Sequence, residues 1–220
     1  MNGGQFFLLI CCMVLTCACG KGDTPEEDGY KYEAVFIGDS ITANWIRDDR
    51  GHPDFFRDHN YLGMGYSGKT TAYLKNLFKL SVIDKHPRQA VISGGTNDIA
   101  QNDGRYVSNE EIRDNIAAMA AEAEAKGIRV VLTSVTPSRG FSWASSISHP
   151  EVTIVELNKL IKALTDEKGY AYADYHSALV DGNGGLPSSL SSDGTHPNKD
   201  GYTIMEGVIL PILQAYPAAE

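Results

Sequence analysis

Four short blocks of this sequence carry residues able to do chemistry. Gly38-Asp39-Ser40 offers a hydroxyl, Gly63-Met64-Gly65 a glycine turn, and Gly94-Gly95-Thr96-Asn97-Asp98 a side-chain amide. Asp193-Gly194-Thr195-His196-Pro197 places a carboxylate three residues before an imidazole. These are the parts needed for acyl transfer by an activated serine. Ser40 is the candidate nucleophile. His196 would take its proton and later return it to the leaving group. Asp193 lies close enough in the loop to hold the other ring nitrogen and fix the tautomer. Pro197 biases His196 toward extended backbone and stiffens the loop. The backbone N–H groups of Ser40 and Gly65 and the amide of Asn97 are the candidate donors for a tetrahedral oxyanion. Singly, each block has a plain structural reading as a helix cap, a turn cap or a loop brace. Together they argue for a site.

A competing pattern overlaps the second block. Residues 63–70, GMGYSGKT, satisfy both G-x-G-x-x-G and G-x-x-x-x-G-K-[ST]. A phosphate-binding loop needs a substantial strand running straight into it. The preceding PDFFRDHNYL is largely polar, with room for only a stub of strand at Tyr61-Leu62. Gly65 therefore reads as an oxyanion donor in a tight turn, and Lys69-Thr70 as an ordinary helix start. Nucleotide is not an expected ligand.

Elements must bring the four blocks together. Apolar, β-branched runs at 33–37, 89–93, 128–135 and 170–174 read as buried strands. Ser108 followed by Glu111 is a capping-box signature, with Ile112, Ile116, Met119, Ala120 and Ala123 at helical spacing and Gly127 as the stop. A second helix is predicted over 150–168 with Gly169 behind it, a third from about Asn198, and another over 70–83. Strands of this kind alternating with helices imply a mainly parallel sheet in a three-layer α/β/α sandwich. In such sheets ligands gather at the carboxyl ends of the strands, where the blocks fall.

Taken in order, GDS, the Gly65 turn, GGTND and DGTHP resemble the SGNH, or GDSL-like, hydrolases, a family of esterases and lipases. The resemblance runs from about Glu33 to the carboxyl terminus. It implies a flavodoxin-like fold, acyl-ester hydrolysis and no metal or other cofactor. It assigns Ser40 as nucleophile, Gly65 and Asn97 as oxyanion donors, and Asp193 with His196 as the acid–base pair. Ile41 stands where the family name has leucine. There is no G-x-S-x-G elbow, which separates the chain from ordinary α/β-hydrolases.

Other residues are weighed against these. His52, His59, His86, His149 and His176 lack a comparable carboxylate motif; His149, beside Pro150, is the reserve candidate for the base. Phe141 and Trp143, in the loop after the longest strand, are candidates to line the substrate pocket, as is Tyr66; covering a helix end is their alternative role. Asp98 is expected to orient the Asn97 loop.

The net charge of −9 makes nucleic acid an unsuitable partner. All four cysteines lie at positions 11, 12, 17 and 19, which excludes a thiol nucleophile or a disulfide framework further on. The apolar run 6–18 is too short to span a bilayer and suits a signal segment. It resembles a lipoprotein signal, with Cys19 the candidate lipidated residue and Cys17 the second choice; a plain secretory leader is the alternative. The expected organisation is a signal at 1–19, a polar tether at 20–32 and one hydrolase domain at 33–220, exported and held at a membrane by lipid alone. The expected substrate is a small acyl ester or O-acylated carbohydrate, acetyl above all. A lipase, thioesterase or lysophospholipase, or a silent carbohydrate-binding surface protein, is the alternative.

Overall fold

The computed structural model describes Met1 and residues 29–216; the leader, including Cys19 and Cys17, lies outside the described residues. Five strands form one sheet: β1 (Ala34–Gly38), β2 (Tyr61–Gly65), β3 (Gln89–Ile92), β4 (Arg129–Thr133) and β5 (Ala171–Ala173). Their order is β2-β1-β3-β4-β5, and every pairing is parallel. Alternation divides the strand side chains cleanly. Val35, Ile37, Ala90, Ile92, Val130 and Leu132 enter one core; Ala34, Phe36, Val91, Val131 and Ala173 enter the other. Both faces are therefore covered, giving the expected three-layer α/β/α sandwich.

The first core is closed by α3 (Thr71–Ser81), α5 (Asn109–Glu124) and α6 (Pro150–Lys168). The Ser108 hydroxyl accepts from the Glu111 N–H, as the capping box predicts, and α5 buries Ile112, Ile116, Met119, Ala120 and Ala123. The helix stops at Glu124, three residues before Gly127. The α6 helix starts at Pro150 and ends against Gly169, whose φ of 70° caps it in the left-handed conformation.

The second core is closed by α1 (Ser40–Trp45), α2 (Pro53–Asp58), α7 (Tyr175–Leu179) and α8 (Lys199–Gln214). Its centre is aromatic. Trp45 stacks on Phe55 at 5.6 Å and Tyr202 at 5.3 Å, and meets Phe36 edge-on at 5.8 Å. Trp45 Nε1 donates to Glu206, and the Tyr202 hydroxyl donates to the Ile41 carbonyl. These contacts hold the short α1 onto α8. Truncating Trp45 to alanine removes its ring contacts and the Glu206 bond at about 3–5 kcal/mol.

The packed chain begins ahead of β1: Lys31 N–H donates to the His86 carbonyl, and Tyr32 bridges Pro87. The fold thus takes in the last residues assigned to the tether. Among the described residues, no helix is long and apolar enough to cross a membrane.

The β2 strand corrects one expectation. It is five residues long and runs through Gly63 to Gly65, so Gly65 ends a strand rather than occupying a turn. Packing explains its glycines. A Cβ on Gly65 would lie 2.1 Å from the Ala43 nitrogen, and one on Gly63 2.3 Å from Ile46 Cγ2. The α1 segment lies directly across this strand, and only glycine lets it.

Candidate active site

The sheet order reverses direction at β1: the chain moves outward to β2, then crosses back to β3 on the other side. Such a switch point opens a crevice at the carboxyl ends of the two strands. Ser40 follows β1 there, and Asn97 follows β3.

Ser40 is the first residue of α1. The Asp39 carboxylate caps the helix by accepting from the Ile41 N–H at 2.9 Å. Burial raises the Asp39 carboxyl above the usual carboxylate range, against the lowering effect of that N–H and of the positive charge His196 can carry. Ser40 Oγ lies 2.8 Å from His196 Nε2, although 156 residues separate them. On the far side of the ring, His196 Nδ1 lies 2.7 Å from Asp193 Oδ2. A carboxylate can only accept, so Nδ1 carries the proton and Nε2 presents its lone pair to the serine hydroxyl.

Partial burial alone would raise the Asp193 carboxyl. The His196 N–H and imidazole, with the Thr195 N–H, outweigh it and hold Asp193 down to about 2. The carboxylate is therefore ionised throughout the neutral range. Its loop is fastened at both ends. Ser191 Oγ donates to Asp193 Oδ1, and Asn198 caps α8 through the Gly201 N–H. Thr195, almost fully buried between the two site residues, donates to the Gly140 carbonyl and lies 3.1 Å from Ser138 Oγ. This ties the histidine loop to the loop that carries Trp143.

Asn97 sits in the short α4 (Thr96–Ile99) and is buried to 2% exposure. Its Nδ2 donates to the Lys69 carbonyl at 3.1 Å, and its Oδ1 accepts from Asn102 Nδ2 at 2.7 Å. Those partners fix which end of the amide is nitrogen, and one N–H is left over. Asn97 and Ser40 line the same cleft, of about 200 Å³, with Gly68, Asn102, Trp143 and His196. Gly65 stands beside Gly38 in the ladder, where Tyr66 N–H donates to the Gly38 carbonyl. Alternation along the strand turns the Gly65 N–H away from β1.

The structure thus brings together Ser40, Asp193, His196, Asn97 and Trp143. It does not bring Tyr66 or Phe141 to the cleft. The Tyr66 hydroxyl lies 2.6 Å from Ser81 Oγ on α3, and Phe141, at 2% exposure, packs into the core beneath Trp143. Trp143 is the member of that pair left facing solvent, its ring 5.8 Å from the His196 ring. His149, the reserve base, is a solvent-exposed neighbour of Glu151 at the start of α6. His52 does have a carboxylate partner, Glu206 at 2.9 Å, supplied from α8 where no local motif could show it.

Asn102 escaped sequence reasoning. It orients Asn97, also donates to the Gly68 carbonyl, and accepts from Trp143 Nε1 at 2.9 Å. Its only local signal was its place in an Asn-Asp-Gly turn, which marks loops generally.

The phosphate pattern at 63–70 finds its explanation here. The start of α3 already holds an anion of the chain itself: the Asp98 carboxylate accepts from the Thr71 N–H and from Thr71 Oγ1 at 2.6 Å. Burial pushes Asp98 up to about 6 despite those bonds. Asp98 clamps the Asn97 helix to α3, the orienting role expected of it.

A hydroxyl, an imidazole and a carboxylate bonded in series at the switch point of a 2-1-3-4-5 sheet are the hallmarks of an SGNH-type hydrolase. The chain belongs to the GDSL-like lipase/acylhydrolase family, whose profile matches residues 36–204. A GDSL-like lipase of Bacteroides thetaiotaomicron is 37% identical in sequence, with a TM-score of 0.79 over 84% of this chain and 88% of that one. An acetylxylan esterase of Geobacillus stearothermophilus shares the fold at 18% identity, with a TM-score of 0.66 over 84% of this chain and 95% of its own. The lipoprotein YqeF of Bacillus subtilis is 29% identical over 148 residues, covering 60% of this chain and 57% of that protein. The match to that relative therefore spans little more than half its length.

Proposed function

We propose that the protein is a serine carboxylic-ester hydrolase that works through an acyl-enzyme, with Ser40, His196 and Asp193 as its triad. The observation that carries this reading is the pair of contacts, 2.8 and 2.7 Å, that joins Ser40 to Asp193 through one imidazole beside Asn97. Ser40 Oγ attacks the ester carbonyl carbon as His196 Nε2 accepts its proton. The carbonyl oxygen becomes an oxyanion, which the N–H groups of Ser40, Gly65 and Asn97 stabilise. His196 then protonates the alcohol oxygen, the C–O bond breaks and the alcohol leaves. Water, deprotonated by the same nitrogen, attacks the acyl-enzyme and releases the acid and free Ser40. Asp193 stays ionised and balances the imidazolium.

A short acyl group is the natural occupant. The cleft is small, two asparagines line it, and Trp143 borders it. An acetyl group fits that size, and a structural neighbour bears the name acetylxylan esterase. Lipidation at Cys19 would hold the domain at a membrane surface, and the YqeF relative is named a lipoprotein.

Hydrolysis of p-nitrophenyl esters from acetate to decanoate tests the reading. An acetylesterase shows kcat/KM greatest at two to four carbons, and Ser40→Ala abolishes turnover. A maximum at eight or more carbons would make the protein a lipase. No Ser40-dependent turnover of any ester would reduce it to a silent binding protein.

A further inference from the structure

Two hollows meet at His196. The first is the cleft holding Ser40. The second, about 360 Å³, lies between the loop after α1 and the histidine loop, lined among others by Asn44, Asp49, Arg50, Asp193, His196 and Lys199. An alcohol that takes its proton from Nε2 must leave against the imidazole ring, and this hollow extends from that ring.

Asn44 is the first unusual feature there. It stands four residues after Ser40 on α1, one turn along the same face. It is 8% exposed, and its side-chain amide makes no hydrogen bond among the described residues. The amide is not sealed from solvent: it opens on the hollow, where both its N–H groups and its oxygen are free to bond a group held there.

Charge is the second feature. Two carboxylates line the hollow, and both are engaged. Asp49 takes a two-pronged bond from Arg47, at 2.9 Å on each oxygen, and Asp193 is held by His196. The two cations are much freer. Arg50 Nε approaches Asp49 only to 3.7 Å, and Lys199 has no carboxylate partner among the described residues. On a chain with net charge −9, two available cations beside an unpartnered amide form a local site for negative charge.

We propose that this hollow is the leaving-alcohol subsite and that it selects alcohols bearing an anion, a carboxylate or a phosphate. Arg50 and Lys199 hold the anion, and Asn44 hydrogen-bonds the oxygens between it and the ester. The assignment rests on the esterase reading above and adds the substrate's alcohol half to it.

The test compares three acetyl esters on the full chain: 4-acetoxybenzoate, 4-acetoxyphenyl phosphate and neutral methyl 4-acetoxybenzoate. The readout is the ratio of kcat/KM for each anionic ester to that for the neutral one, which cancels changes in enzyme amount. In Arg50→Ala/Lys199→Ala the ratio falls about tenfold, as for the loss of two solvent-facing ion pairs. In the wild type it falls as salt rises from about 20 mM to about 300 mM, because the Debye length shrinks. Arg50→Glu/Lys199→Glu lowers it further. Both altered side chains are exposed, so folding is retained; an unchanged melting temperature checks this. A ratio that falls for only one anionic ester supports the site and identifies the anion. A ratio equal in wild type and both variants overturns the subsite while leaving Ser40-dependent hydrolysis of the neutral ester standing. Failure of the wild type to cleave any of the three overturns the subsite and the esterase reading together.

Discussion

Replacing Asn97 by aspartate changes one atom and should stop the enzyme. The amide has two N–H groups and one oxygen. The oxygen accepts from Asn102 at 2.7 Å, one N–H goes to the Lys69 carbonyl at 3.1 Å, and the other remains for the cleft. In Asn97→Asp an oxygen replaces the nitrogen. It faces the Lys69 carbonyl with no proton between them, and it meets a developing oxyanion with like charge. Loss of one oxyanion donor costs about 3–4 kcal/mol of transition-state stabilisation, or 100- to 1,000-fold in kcat. The donor acts mainly on charge that develops in the transition state, so KM should move less than about threefold. Asn97→Ala should show a similar kcat loss without the repulsion, and should lower unfolding free energy by about 1–3 kcal/mol because the Lys69 carbonyl loses its partner. Steady-state kinetics on p-nitrophenyl acetate, with urea unfolding alongside, separates the two effects. A folded Asn97→Asp enzyme within fivefold of wild-type kcat would refute the donor assignment.

Three further outcomes follow from the packing. Gly65→Ala should destabilise the fold by about 1–3 kcal/mol and lower kcat, because its Cβ meets the Ala43 backbone of the helix that carries Ser40; urea unfolding and kinetics together check it. Asp98 titrates at about 6 in the fold against 3.8 ordinarily, so between those values the folded chain binds more protons and stability falls as pH rises. Relative to Asp98→Asn, wild type should lose about 2 kcal/mol of unfolding free energy from pH 4 to pH 7, and parallel pH curves would contradict this. Thr195→Val should lower kcat several-fold with little change in KM, since it frees the histidine loop from Gly140 and Ser138 without touching either ring nitrogen. An unchanged kcat would show that the loop is held without that hydroxyl.

What the sequence showed, it showed through local chemical necessity. Ser108 with Glu111, and Pro150 with Gly169, mark helix ends because unpaired backbone groups there demand those residue types. The blocks at Ser40, Asn97 and Asp193-His196 stood out because few residue types can serve as nucleophile, donor, acid or base. What it hid was tertiary. PDFFRD looked polar, yet Phe55 and Phe56 turn inward to the Trp45 cluster and make it α2. The glycines of β2 imitated a phosphate loop because a helix crosses them. Phe141 and Trp143 were indistinguishable by type, and only packing sends one inward and leaves the other by His196. Asn102 and the Glu206 partner of His52 depend on contacts that no local pattern encodes.

Reaction with a fluorophosphonate, read by intact mass and peptide sequencing, tests the central claim most directly. The account predicts a single adduct on Ser40, absent in Ser40→Ala and formed at least 100-fold more slowly in His196→Ala, on the order of magnitude expected for loss of a general base. An adduct on another residue, or labelling that is indifferent to His196, would contradict it.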